Sequence, residues 1–579
     1  MKKIDIDKTL PLQEYPRPQF QRDSYLNLNG AWQYAISKSK SLETPTQGII
    51  NVPYSPESEL SGVGRQLKKD EYLHYVRNII IPKGFNKGRV LLNIGAIDQR
   101  SEIYINNQLA GQSSSPYIPV QIDITPYLHK EGEEDNFHIV VMDDADSEIY
   151  ARGKQRYNRG GVWYTAISGI WQSVFLESVP QNYIKSLKID TKFDENEVRF
   201  SFNRVGNIKN ITLEIFDEDK RIAKLSTENS FINYRFDKFK AWSTDNPFLY
   251  QIKIRYKDDE IDSYFGMRKI SLINIDGAKI CALNNKPILL KGVLDQGYYQ
   301  KGIYTVEKYE DYVKDIELIK SLGFNMIRKH IKIEPMRFYY ECDKRGIIVL
   351  QDFVNGGKTY KISYVALRPI IKFDVDDINS DKLGRKNEKS RDQFLLEVQD
   401  TISLLYNTPS VCAWTVFNEG WGQFDAYRIA KVVKGFDESR LVDATSGWFD
   451  KGSGDFNSQH IYFRKINMKN DHKRALFLSE FGGYSLSIKD HMFSNKKFGY
   501  RFFNSIDKLS DAISELFIEQ VKPQIIKENL TAYVYTQLSD VEQEINGFIT
   551  YDREVIKVDI EKIKKANEEC DIAFYEKYR

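Results

Sequence analysis

Residues 411–424 read VCAWTVFNEGWGQF, and this stretch decides the fold. Its first half is a continuous apolar run. Such a run fits a strand covered on both faces, as in a parallel sheet, whereas a half-exposed strand would alternate. Its second half turns polar at Asn418 and Glu419 and is broken by Gly420 and Gly422, with Trp421 between them. An acid at the C-terminal end of a buried parallel strand, followed by glycines, stands where an α/β barrel carries its chemistry. Glu419 is therefore the first candidate catalytic residue. The reading requires seven more strands, a second acid and a substrate.

The other strands are present on both sides of it. Buried-strand candidates are ILLKGVLDQ (288–296), FNMIRKHIK (324–332), IIVLQDF (347–353), LVDATSGW (441–448), FNSQHIYF (456–463), ALFLSEFGG (475–483) and AYVYTQLSD (532–540), with 411–419 as the fourth in order. Helical spacing lies between several of them. Val306, Tyr309, Val313, Ile316 and Ile319 recur at three-to-four spacing within 306–322. Ile513, Leu516, Phe517 and Val521 do the same within 510–526, where Pro523 is expected to kink or end the helix. Residues 274–579 thus read as a (β/α)8 TIM barrel. The connection at 354–388 is long and lysine-rich and is expected to lie over the active-site face.

Upstream, residues 1–180 carry short strand-like runs such as AWQYAI, RVLLNIG and FHIVVM, with turns at Asn29-Gly30 and a hairpin expected at Asn106-Asn107. This predicts a β jelly-roll sandwich of sugar-binding type. The Gly- and aromatic-rich stretch 158–171, NRGGVWYTAISGIW, reads as an ordered loop. Its Arg159, Trp163 and Tyr164 either face a ligand or pack against a neighbouring domain. Residues 181–273 repeat the β pattern over the length of an immunoglobulin-like sandwich and contain no cysteine. The fold class is therefore multidomain: jelly roll, immunoglobulin-like β-sandwich, TIM barrel.

Composition bounds the partners. With 83 basic and 81 acidic residues the net charge is +2, which argues against nucleic acid as the main partner. No apolar run reaches the roughly 18 residues of a membrane span, and the N-terminus lacks the apolar core of a signal peptide, so a cytoplasmic protein without membrane contact is expected. The four cysteines are far apart in sequence, and Cys281, Cys342 and Cys412 read as buried thiols. His330 and His460 lack metal-site spacing, and neither a P-loop nor a nucleophile elbow is present, so no metal and no cofactor are expected.

The chemistry comes from the ends of the barrel strands. Strand 4 ends in Asn418-Glu419 and strand 7 in Ser479-Glu480, each followed by glycine. Two facing carboxyl groups are the equipment of glycoside hydrolysis: one protonates the leaving oxygen and the other acts as nucleophile or base. Around them the strand ends supply Asp295 and Gln296, Arg328 and His330, Gln351 and Asp352, Trp448, His460 and Tyr462, and Tyr535, Gln537 and Asp540.

With this constellation in place the chain resembles the family 2 glycoside hydrolases, which include β-galactosidases, β-glucuronidases and β-mannosidases. The resemblance rests on LLKGVLDQGYY, LGFNMIRKHIKIEP, WTVFNEGWGQF, FLSEFGG and TQLSDVEQEINGFITYDR in this domain order. It implies a retaining double displacement on a small glycoside or oligosaccharide, with Glu419 as acid/base and Glu480 as nucleophile. It further implies that Asn418 holds the sugar 2-hydroxyl, that Arg328 lies near the nucleophile, that Tyr462 orients it and that His330 lines the sugar subsite. Trp448 and His460 join the substrate-binding set from strands 5 and 6. Family members are often dimers or tetramers, so a homo-oligomer is among the expectations.

The sequence departs from the family at three places. Leu294-Asp295-Gln296 stands where many members carry Asn-x-His, which makes Asp295 a candidate hydroxyl contact. By resemblance, Tyr535 aligns with a tryptophan that members place under the sugar. The Asn-x-Lys that grips a uronic carboxylate is replaced by Ile545-Asn546-Gly547-Phe548, which favours a neutral sugar, with β-galactoside first and β-glucuronide second. A cation from the 354–388 loop would reopen the acidic alternative.

Overall fold

The computed structural model describes residues 10–207, 209–361, 363–364, 374–378 and 381–578. Eight parallel strands form one sheet in the order 5-4-3-2-1-8-7-6. In chain order they are Leu290–Asp295, Met326–Lys329, Ile348–Asp352, Val411–Asn418, Leu441–Ser446, Phe456–Ile461, Ala475–Gly482 and Leu530–Thr536. Seven lie within three residues of the expected bounds, and the eighth ends four residues earlier than expected. Strands 5 and 6 close the ring without a regular ladder. Their seam is held by Asp455 N–H donating to Val442 O (2.7 Å) and by Ser458 Oγ donating to Asp443 Oδ2 (3.0 Å).

Side-chain alternation along these strands decides what reaches the barrel mouth. Leu290, Leu294, Met326, Leu350, Phe477, Ala532 and Val534 fill the barrel interior. Val293, Ile327, Val349, Leu478, Tyr533 and Tyr535 point the other way and pack under the helices. The antiparallel strands Ile270–Ile275 and Ala278–Leu283 cover the N-terminal end, where Ile270, Cys281 and Leu283 join the interior cluster.

The helix expected at 306–322 is Glu310–Ser321. The one expected at 510–526 begins at Ile506, passes through a π-helical turn at Phe517–Val521 and continues as Lys522–Glu528. Pro523 does not end it. It sits directly after the π-helical turn, at the start of the last helical segment.

The first sandwich pairs a four-stranded with a six-stranded antiparallel sheet around Trp32, Tyr75, Leu92, Ile139 and Leu176. Its expected hairpin is present: Asn106 and Asn107 (φ 50° and 62°) join Arg100–Ile105 to Gln108–Ser113. The second sandwich sets a three-stranded against a four-stranded sheet around Phe200, Leu213 and Ile252. All four cysteines are free and buried. No helix among the described residues is long and apolar enough to cross a membrane.

Candidate active site

Glu419 follows strand 4 in a left-handed conformation (φ 50°), and Gly420 and Gly422 continue the turn at φ 73° and 67°. A Cβ on Gly420 would lie 2.5 Å from the Phe449 ring, and one on Gly422 2.7 Å from Gly356 O. Glycine is thus required at both for the chain to fold back across the barrel mouth. Glu480 lies within the last residues of strand 7, and the left-handed turn follows at Gly482 and Gly483. Gly482, at φ 86°, has no room for a Cβ beside Tyr535.

One buried cation organises the pair. Arg328 of strand 2 donates from Nη1 to Glu480 Oε1 (2.9 Å), from Nη2 to Asn418 Oδ1 (2.8 Å), and from Nε and Nη2 to the two Asp352 oxygens (3.0 Å each). Tyr462 OH donates to Glu480 Oε2 and lies 3.0 Å from Thr536 Oγ1. His460 stands between the acids, with Nδ1 2.9 Å from Glu419 Oε1 and Nε2 3.5 Å from Glu480 Oε1. Ser446 Oγ, 3.0 Å from that Nε2, fixes the ring. Ligand atoms of Glu419, His460 and Glu480 all lie within 4.8 Å of one another. Such a trio also has the spacing to hold a cation; here Arg328 already supplies one at Glu480.

The two carboxyl groups are pushed apart in acidity. Burial raises the Glu419 pKa, and the negative charge of Glu480 adds to it against the pull of His460. Burial would raise Glu480 too, but His460 and Arg328 outweigh it and hold that carboxyl well below the usual range. His330 donates from Nδ1 to Asp352 Oδ2 (2.9 Å). Burial and the charge of Lys154 lower its pKa to about 4, so the ring is neutral near pH 7 and Nε2 is left as an acceptor. Asn418 Nδ2 is buried without a partner among the described residues, a donor free for a ligand. Trp448, half-buried, lies 6.1 Å from the His460 ring.

Two sequence candidates are not brought to the site. Asp295 shares the outer face of strand 1 with Val293, and its oxygens accept from Lys329 Nζ (2.5 Å) and Gly297 N–H (2.8 Å). The group that strand 1 leaves unpartnered is instead the next one, Gln296 Nε2. Tyr535 is likewise on the outer face, stacked on Phe548 at 4.7 Å and edge-on to Phe481. It belongs to the core under the helices, so it forms no floor for a sugar; Thr536 takes the inner position. The 354–388 loop falls partly outside the described residues.

Further contributors come from outside the barrel strands, among them Trp163 and Tyr164 of the 158–171 loop, while Tyr500 and Lys154 carried no local signal in the sequence. Tyr500 stacks on Tyr462 at 4.3 Å. Tyr164, from the first sandwich, donates to Glu544, which also accepts from Asn546 Nδ2 (2.9 Å). Asn546 Oδ1 accepts from Gln537 Nε2 (2.7 Å). Trp163 packs on Trp421 at 5.0 Å, so the 158–171 loop packs against the barrel beside Glu419. Lys154 enters by the same route. The barrel therefore shares its mouth with the first sandwich.

Comparison with known proteins agrees with this architecture. Residues 273–477 match the family described as "Glycosyl hydrolases family 2, TIM barrel domain", and residues 182–268 match "Glycosyl hydrolases family 2". A putative β-glucuronidase of Formosa agariphila is 24% identical over 523 residues, covering 81% of this chain and 58% of that protein. A β-galactosidase of Staphylococcus xylosus is 22% identical over 437 residues, covering 73% of this chain and 39% of that protein. The chain thus spans about two-fifths to three-fifths of the length of these curated relatives. Among solved structures, a β-D-glucuronidase of Dictyoglomus thermophilum superposes with a TM-score of 0.74 at 18% identity, covering 96% of this chain and 98% of that one. A β-glucuronidase of an uncultured Clostridium sp. gives 0.75 at 16% identity, covering 97% and 100%. At these identities the superpositions establish a shared fold.

Proposed function

Because the chain belongs to glycosyl hydrolases family 2, we propose that it is a retaining exo-β-glycosidase with Glu480 as nucleophile and Glu419 as acid/base. The observation that carries the reading is the pair itself: carboxyl oxygens within 4.8 Å of one another, with acidities displaced in opposite directions. Retaining enzymes hold their carboxyl groups about 5–5.5 Å apart, whereas inverting enzymes need about 6.5 Å or more to admit a water.

In the first step Glu480 attacks the anomeric carbon. Glu419 gives its proton to the glycosidic oxygen, and the aglycone leaves as a neutral alcohol. Glu480 is then an ester and carries no charge, so one of the influences that raise Glu419 disappears. The Glu419 carboxylate is thereby suited to take a proton from water, which attacks the same carbon and frees Glu480. Asn418 Nδ2 is suited to the 2-hydroxyl, and Tyr462 and Arg328 keep Glu480 ionised and oriented.

For the sugar, the Ile545-Asn546-Gly547-Phe548 stretch, which lacks a lysine, favours a neutral glycoside, with β-galactoside as the first choice, and relatives named β-galactosidase are consistent with it. A β-uronide is favoured by a different observation, Lys154, and by relatives named β-glucuronidase. A panel of 4-nitrophenyl β-glycosides, with proton NMR of the first-formed sugar, tests the proposal. The expected result is release of the β-anomer; first-formed α-anomer, or no cleavage of any glycoside, would overturn it.

A further inference from the structure

Lys154 is 6% exposed and lies beside the active site, yet among the described residues its Nζ has no carboxylate within ion-pair distance and no hydrogen-bond acceptor. The other buried lysines of the described chain are all neutralised. Lys291 pairs with Asp571, Lys329 with Asp295 and Glu334, Lys332 with Glu334, and Lys557 with Asp540. The stem of Lys154 is buried, but its ammonium is not among the fully enclosed unpartnered atoms of the described residues, so it stays open to the site and to a partner that comes and goes.

The position of Lys154 is enforced. Gly153, at φ 63°, passes so close to the segment after strand 2 that a Cβ would lie 2.9 Å from Ile331 O. The backbone N–H groups of Arg152 and Gly153 donate to Asn355 O, and Ala151 bridges Gly356. The ammonium sits over two aromatic faces, 5.5 Å from the Tyr164 centroid and 5.6 Å from that of Trp421. This holds a cation in place while leaving its hydrogen-bond donors unused. Its charge is felt at both Glu419 and His330, which places it alongside the sugar-binding end of the site.

We propose that Lys154 is the specificity-determining residue of this site, and that its ammonium receives an acidic substituent, carboxylate or sulfate, on the sugar whose bond is cleaved. The proposal rests on the glycosidase reading above and reverses the preference for a neutral sugar drawn from the sequence. The acid-binding group would come from the first sandwich and not from the segment after strand 8.

The test compares wild type, Lys154→Met and Lys154→Arg on matched 4-nitrophenyl substrates: β-glucuronide against β-glucoside, β-galacturonide against β-galactoside, and 6-sulfated against plain β-galactoside. One acidic member is expected to exceed its neutral partner in kcat/KM. Lys154→Met is expected to lower the acidic-to-neutral ratio of kcat/KM by about 10- to 100-fold. Lys154→Arg should keep part of the preference. The uronide and sulfate arms identify the anion. Preference of the wild type for neutral glycosides, or equal loss on both partners in Lys154→Met, would overturn the proposal while leaving the glycosidase reading intact. A wild-type protein that cleaves nothing in the panel overturns both.

Discussion

Glu419 and Glu480 face each other across the barrel mouth with carboxyl oxygens no more than 4.8 Å apart, and the same imidazole, His460, touches the first and approaches the second. Two acids this close do not ionise alike. His460 and Arg328 settle the asymmetry by lowering Glu480, while burial raises Glu419.

Removing the proton donor should hurt most where the leaving group needs it most. Glu419→Gln is expected to lower kcat/KM by about 10²- to 10⁴-fold on an alkyl glycoside. The loss should be much smaller for a dinitrophenyl glycoside, whose phenolate leaves unaided. Steady-state kinetics on the two substrates checks this; equal losses would mean that Glu419 is not the acid.

The pH profile follows from the two displacements. On the proposed mechanism, activity requires Glu480 ionised and Glu419 protonated. Glu480 is lowered, so the acidic limb lies below the ordinary carboxylate range. Glu419 is raised, so the basic limb lies above that range, and kcat/KM falls as pH rises through it. Glu419→Gln should abolish the basic limb when kcat/KM is measured against pH with a dinitrophenyl substrate.

Arg328 is buried and serves two carboxylates and Asn418. Arg328→Met removes the guanidinium that Asp352 and Glu480 share and is expected to cost about 3–5 kcal/mol of stability by thermal or urea denaturation. In the fraction that folds, the acidic limb should move to higher pH, because Glu480 loses one of the charges that lower it. Lysine has one ammonium in place of a fork and should rescue only part.

The first sandwich should matter to binding more than to chemistry. Trp163 packs on Trp421 beside Glu419 and touches neither acid. Trp163→Ala is expected to raise KM by about 3- to 10-fold with a smaller change in kcat. A pure kcat loss would place this loop in the catalytic step.

Much of this was legible because buried parallel strands leave a continuous apolar signature and because acids at their ends stand out. Strand 4 and strand 7 were readable for that reason, as was the ring of polar strand ends that includes Arg328, His330, His460 and Tyr462. Facing was harder to read. Asp295 and Gln296 differ by one residue, and Tyr535 and Thr536 by one more, yet each step turns a side chain from core to mouth. Near a strand end only tertiary packing decides which neighbour turns inward. Lys154 was illegible for another reason: it lies 265 residues before Glu419, in a different domain, and neither its spacing nor its neighbours mark it.

The most direct test of the central claim is to trap the intermediate. The protein should be inactivated with the 2-deoxy-2-fluoro-β-glycosyl fluoride of its best sugar, digested, and mapped by mass spectrometry. The account predicts one fluoroglycosyl group per chain, esterified to Glu480. A label on any other residue, or turnover without a covalent adduct under conditions where the first-formed product is the α-anomer, would contradict it.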